Sequence, residues 1–199
     1  MNTQVLRLFT LTAFVSLCGV AAQAADGVVA FEPGLVVGLE QKTPSGLVAA
    51  VVPSPDGKSR TVFKMEWPAH EAIYIAGYID KGGVLIDAPG KYRITAKISV
   101  EQLGAECSAL ALRLIDKRWE TFQVMAKITP GEPGWVDVVW TLDTDNFKAG
   151  GVSSWGPEKN DVIDFPLRLR GFGLNFTNRT TGGGMLFVDQ VKAELLPAK

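Results

Sequence analysis

Apolar and polar residues alternate in short runs along most of this chain. In "KYRITAKISV", Tyr92, Ile94, Ala96, Ile98 and Val100 fall on one side, and Arg93, Thr95, Lys97 and Ser99 on the other. Leu110, Leu112 and Leu114 repeat the pattern with Arg113 opposite. Phe122, Val124, Ala126 and Ile128 do so against Gln123, Met125 and Lys127, and "LRLR" sets Leu167 and Leu169 against Arg168 and Arg170. A period of two is that of a strand with one packed face and one wet face. Eleven such runs are predicted, at 27–32, 34–40, 46–52, 60–67, 71–79, 90–100, 107–116, 119–128, 134–143, 165–176 and 184–195. Gly, Pro, Asp and Asn punctuate them, and no segment carries a helical period. The expected fold is all-β, an antiparallel β-sandwich in which two sheets share one core. In "GWVDVVWTLD" the phase of Val136, Val138 and Leu142 turns Trp140 inward and leaves Trp135 outside.

Residues 1–24 read differently. Arg7 supplies one positive charge, an apolar stretch follows from Leu8 to Val20, and Ala22-Gln23-Ala24 forms a small-x-small cleavage site. That is a signal peptide, too short in its apolar part to span a bilayer. The expectation is a secreted or periplasmic protein of a single domain, residues 25–199, without a membrane span. Of the two cysteines, Cys18 leaves with the leader, so Cys107 has no intrachain partner and reads as a small buried apolar residue. A net charge of −1 argues against general nucleic-acid binding. The sequons at Asn175 and Asn178 read as unmodified turn residues behind a bacterial-type leader.

One charge sits badly in this pattern. Asp189 lies inside the apolar run "MLFVDQVKAEL", and a buried carboxylate needs a cation, a set of donors, or the opening of a bulge.

Four stretches, "AFEPG", "APGKYRITAKISV", "GWVDVVWTLD" and "MLFVDQVKAEL", occur in the order shown by jelly-roll carbohydrate-binding modules of the galactose-binding-like type, and the chain resembles that family from about Phe31 to Leu195. The resemblance implies a jelly roll that binds a polysaccharide or oligosaccharide. It also implies a structural Ca²⁺ held by Glu32 and Asp189; the alternative from the residues themselves is a bulge at Asp189 with Glu32 exposed.

Sugar rings stack on exposed aromatic side chains while polar groups fix the hydroxyls. The candidate ligand-binding residues are Trp155, in the polar loop "GGVSSWGPE", with Trp119, Trp67 and Tyr78. Tyr74 shares a strand face with Tyr78. Arg168 and Arg170 join Arg93, Lys97, Arg113 and Lys127 as cations on wet faces, a pattern that suits acidic glycans if their strands are neighbours. No Ser-His-Asp set, HExxH, paired metal spacing or phosphate-cradling glycine loop is present, and the sole histidine is His70. The leading expectation is a secreted, non-catalytic carbohydrate-binding protein. A structural or adhesive envelope protein that binds another protein is the alternative, and a polysaccharide lyase or hydrolase with an unrecognised site is a weaker one.

Overall fold

A computed structural model of the chain describes residues 27–33, 35, 37–39, 45–158, 160–177 and 182–197. The leader, Cys18 and Asn178 lie outside the described residues. Thirteen strands follow one another: β1 (Gly27–Val29), β2 (Val37–Leu39), β3 (Val48–Pro53), β4 (Thr61–Trp67), β5 (Tyr74–Ile79), β6 (Val84–Ile86), β7 (Lys91–Ser99), β8 (Cys107–Ile115), β9 (Thr121–Lys127), β10 (Trp135–Asp143), β11 (Ser153–Trp155), β12 (Leu167–Phe176) and β13 (Gly184–Leu195). Among the described residues no helix is long and apolar enough to cross a membrane.

The strands make two antiparallel sheets packed face to face, a jelly-roll sandwich. Sheet A runs β10-β7-β13-β4-β3, with β1 also on β13. Sheet B runs β11-β9-β8-β12-β5-β2, with β6 also on β12. Two strands exceed the eleven predicted. Residues 84–86 are a three-residue apolar run closed in by turn residues, and 153–155 are too polar to show a strand period. Both form because a neighbouring strand offers unpaired backbone groups, β12 for β6 and β9 for β11.

The inner faces are those the alternation predicts. Tyr92, Ile94, Ile98, Leu110, Leu112, Leu114, Phe122 and Trp140 are all buried. Phe31, Phe63 and Phe172 meet in a ring cluster with centroids 5.2–6.2 Å apart. Trp140 on sheet A donates its indole N–H to the Leu110 carbonyl on sheet B at 3.2 Å, so this buried donor is satisfied across the core. Cys107 is buried, and desolvation pushes its thiol up to about 12, as suits an inert core residue.

A bulge on β13 in sheet A and one on β12 in sheet B shape the outer faces. On β13 the pairing with β7 runs Val188↔Ile98 and then Val191↔Ala96, so one extra residue is accommodated. Val188 and Val191 both point inward, and Asp189 and Gln190 are left outside. On β12 the pairing with β8 runs Leu169↔Leu114 and then Gly171↔Arg113, which makes Arg170 the extra residue. Gly171 has φ 149°, and a β-carbon there would strike the Gly77 carbonyl, so only glycine closes this bulge.

Candidate functional site: an aromatic trough on sheet B

The outer face of sheet B is built on small residues. Ala109 and Ala111 on β8, Gly171 and Gly173 on β12, Ala76 on β5 and Gly38 on β2 occupy facing positions in the ladders. Larger neighbours lie down across this floor. A β-carbon at Gly173 would overlap the Tyr74 phenol, and one at Gly38 would overlap the Tyr78 ring, so each tyrosine reaches across a glycine instead of standing off the sheet. The result is a shallow trough with aromatic surfaces.

Polar groups fix the rings in place. The Tyr74 hydroxyl donates to Gln123 Oε1 at 3.0 Å, which carries the side chain over β12 and β8 to reach β9. Arg113 Nε donates to the same oxygen at 2.9 Å. The Arg113 guanidinium lies 5.1 Å from the Tyr74 ring centroid and 5.0 Å from that of Trp155. With Oε1 accepting twice, the Gln123 amide nitrogen meets the Met125 sulfur at 3.5 Å and no other acceptor among the described residues, and so weak an acceptor leaves donor capacity for a ligand oxygen. Burial raises the Tyr74 phenol above its usual range. Desolvation first, and the Arg170 charge second, pull Arg113 down to about 10, so it stays charged at neutral pH.

Trp155 ends the trough on β11, paired with Thr121 and 37% exposed. At the other end Arg170, aimed by the bulge, stacks on Tyr78 at 4.8 Å and donates to the Ile79 carbonyl at 3.4 Å. Beyond it a cavity of about 460 Å³ opens between the β5–β6 loop, the β8–β9 turn and β12, lined by Lys81, Asp116, Lys117, Trp119, Arg168 and Arg170 among others.

The structure therefore brings Trp155, Tyr78 and Arg170 onto one surface, with Trp119 and Arg168 at its corner. Trp67 is elsewhere. It is 3% exposed on the inner face of β4 and packs edge-on against Phe176 at 6.0 Å, which makes it a core residue rather than a ligand contact. Arg93 and Lys97 are on β7 in sheet A, apart from the sheet B cations. Arg113 and Gln123, two central members of the site, carry only a weak signal in the sequence, a polar side chain out of phase with an apolar strand. Gly38 and Gly173 carry none until their partners are known.

Asp189 meets a cation within the chain. Arg60 Nε lies 2.8 Å from its carboxylate, the Gln190 N–H donates to it at 2.7 Å, and the same guanidinium contacts Asp56 at 2.8 Å and covers the Trp135 ring at 5.3 Å. Calcium needs six to eight oxygen ligands. Glu32 is exposed, Asp189 is committed to Arg60, and no group of three or more His, Cys, Asp or Glu that could hold a metal occurs among the described residues. These residues do not fit a calcium shell.

No protein-family model matches the chain, and no curated protein matches it in sequence. Solved structures do resemble it in shape. The family 11 carbohydrate-binding module of a cellulosomal cellulase of Clostridium thermocellum superposes with a TM-score of 0.51 at 12% identity, over 90% of this chain and 98% of the module. The Clostridium thermocellum family 11 module in complex with a β-1,3-1,4-mixed-linked tetrasaccharide gives 0.51 at 13%, over 88% and 99%. An exo-β-agarase gives 0.51 at 10%, over 88% of this chain but 26% of the enzyme. At these identities the likeness is one of fold, and the fold is the jelly roll of carbohydrate-binding modules.

Proposed function

We propose that this protein is an exported, non-catalytic carbohydrate-binding protein that holds a polysaccharide along the trough of sheet B. One observation carries the reading: Tyr74 and Tyr78 reach across Gly173 and Gly38, and the buried Arg113 holds Gln123 and Trp155 beside them, which makes a surface of rings and hydrogen-bonding groups. Pyranose C–H faces stack on exposed rings, of which Trp155 is the one in the trough, and Gln123 is placed to bond a hydroxyl. The jelly-roll likeness to modules that bind sugars supports the same reading.

Affinity electrophoresis in gels containing mixed-linkage β-glucan, xylan, agarose or polygalacturonate tests it. The protein is expected to be retarded in at least one gel, and Tyr78→Ala to lose that retardation while melting as a single folded species. Free migration in all four overturns the proposal.

A further inference from the structure

We propose that the corner pocket beside the trough takes a carboxylate or sulfate group, so that the polysaccharide bound is an acidic one. This rests on the trough reading and extends it to a substrate class.

The argument begins with an imbalance of charge. Four cations, Lys81, Lys117, Arg168 and Arg170, line the cavity, and Asp116 is the acid among its lining residues. Asp116 makes no ion pair with any of the four. Its carboxylate accepts the backbone N–H groups of Arg118 at 2.8 Å, Glu120 at 2.9 Å and Asp164 at 3.2 Å, and so serves the turn. Lys117 is paired with Asp164 at 3.5 Å. Lys81, Arg168 and Arg170 have no acidic partner among the described residues. Three uncompensated cations around a concave site focus a positive potential there, and arginine forks match the oxygens of carboxylate and sulfate.

The pocket walls are held in costly backbone shapes. Lys81 and Trp119 have φ of 54° and 69°, two of the three non-glycine residues with positive φ among those described, and they face the cavity from different loops. The Trp119 ring is 64% exposed although its turn is pinned by Asp116. Strain maintained at two exposed residues around one cavity marks a site whose shape is kept for a ligand. Arg170 joins the two regions, since it lines the pocket and stacks on Tyr78 in the trough. A sugar chain running along the trough past Tyr78 and Arg170 thereby presents its next acidic substituent to the pocket.

The test uses the full chain and two matched pairs of polymers: polygalacturonate against its methyl-esterified form for carboxylate, and ι-carrageenan against agarose for sulfate. At low ionic strength at least one charged polymer is expected to bind tenfold or more tighter than its neutral counterpart. The difference should vanish near 1 M salt, where the screening length falls to about 3 Å. Both side chains are exposed, so the double variant Arg168→Ala, Lys81→Ala is expected to keep the wild-type melting temperature while losing the charged preference. Equal binding of charged and neutral members overturns the pocket and leaves the trough standing, as does a preference that survives in the double variant. Binding of none of the four overturns the pocket, and the trough falls with it only if mixed-linkage β-glucan and xylan go unbound as well.

Discussion

The two outer faces of the sandwich start from the same two-residue alternation and end as different surfaces. On sheet A the charges are matched across the ladder. Lys97 pairs with Asp137 at 2.9 Å and Arg93 sits opposite Glu194, while Lys64 is bridged to Glu66 along its own strand, β4. On sheet B the cations Arg113 and Arg170 are set among Tyr74, Tyr78 and Trp155, and Arg168 faces a cavity. Cross-strand pairs of opposite charge make a solvated, self-satisfied face, whereas cations placed over rings with few acids nearby make a face that still has interactions to offer. A wet strand face thus says little about function until its neighbours are known.

The largest effect that would break this contrast comes from exchanging one indole on each face. Trp155→Ala is expected to weaken polysaccharide binding by about 2 kcal/mol, roughly thirtyfold, and to lower stability by about 0.5–1 kcal/mol through its lost cation–π contact with Arg113. Trp135→Ala, on sheet A beneath Arg60, should leave affinity untouched and lower stability by about 0.5–1 kcal/mol through the lost cation–π contact. Isothermal titration and thermal melts on both variants read the difference, and equal affinities for the two would erase the functional distinction between the faces.

A smaller effect should appear in stability alone. Asp189→Ala removes the acceptor of the Arg60 ion pair on a carboxylate side chain that is 14% exposed, and about 1.5 kcal/mol of unfolding free energy is expected to go with it. Denaturant titration measures this, and polysaccharide affinity should be unchanged. A loss of binding would mean that sheet A takes part in recognition.

The smallest effect concerns pH. The sole histidine sits at neither face, so its titration should leave the contrast between them unchanged. His70 is buried beside Phe176, ring centroids 5.0 Å apart, and its Nδ1 accepts the Ala72 N–H at 3.1 Å. Desolvation lowers its pKa below 6.5, against smaller raising effects from the Ala72 hydrogen bond and the Glu106 charge. A lowered folded pKa makes the neutral ring the native form. The contribution of His70 is therefore intact above about pH 6.5 and is lost as pH falls through the lowered value. Melts from pH 8 to 5 on wild type and His70→Gln should converge toward acid, and parallel curves would remove His70 from the account.

Much of the fold is legible in the chain because alternation is local. The inward set on β7, the leucines of β8 and the inward turn of Trp140 follow from the phase of adjacent residues. What alternation cannot supply is partnership. It places Arg93 and Arg113 alike on wet faces, yet one belongs to each sheet, and the pairing that separates them depends on contacts far along the chain. Bulges are hidden for a related reason. Arg170 and Gly171 read as a regular continuation of β12, and the extra residue emerges only against β8. Trp155 is legible as exposed but not as part of a strand, since "SSW" lacks an apolar partner at spacing two. Trp67 misleads by its position beside Pro68, where a strand end reads as a rim although the core extends to it. For Asp189 the residue-level reasoning requires a cation or a bulge, and the structure supplies both.

Arg60 gives the Asp189 bulge a counter-ion that cannot diffuse away. A dissociable ion stabilises a protein only in proportion to how far its free concentration exceeds its dissociation constant, so a fold that depends on one inherits the ionic fluctuations of its surroundings. A guanidinium tethered by the backbone is present at a fixed effective concentration in every molecule. This part of the stability should then be indifferent to chelators and to dialysis, whatever the hardness of the water around the protein.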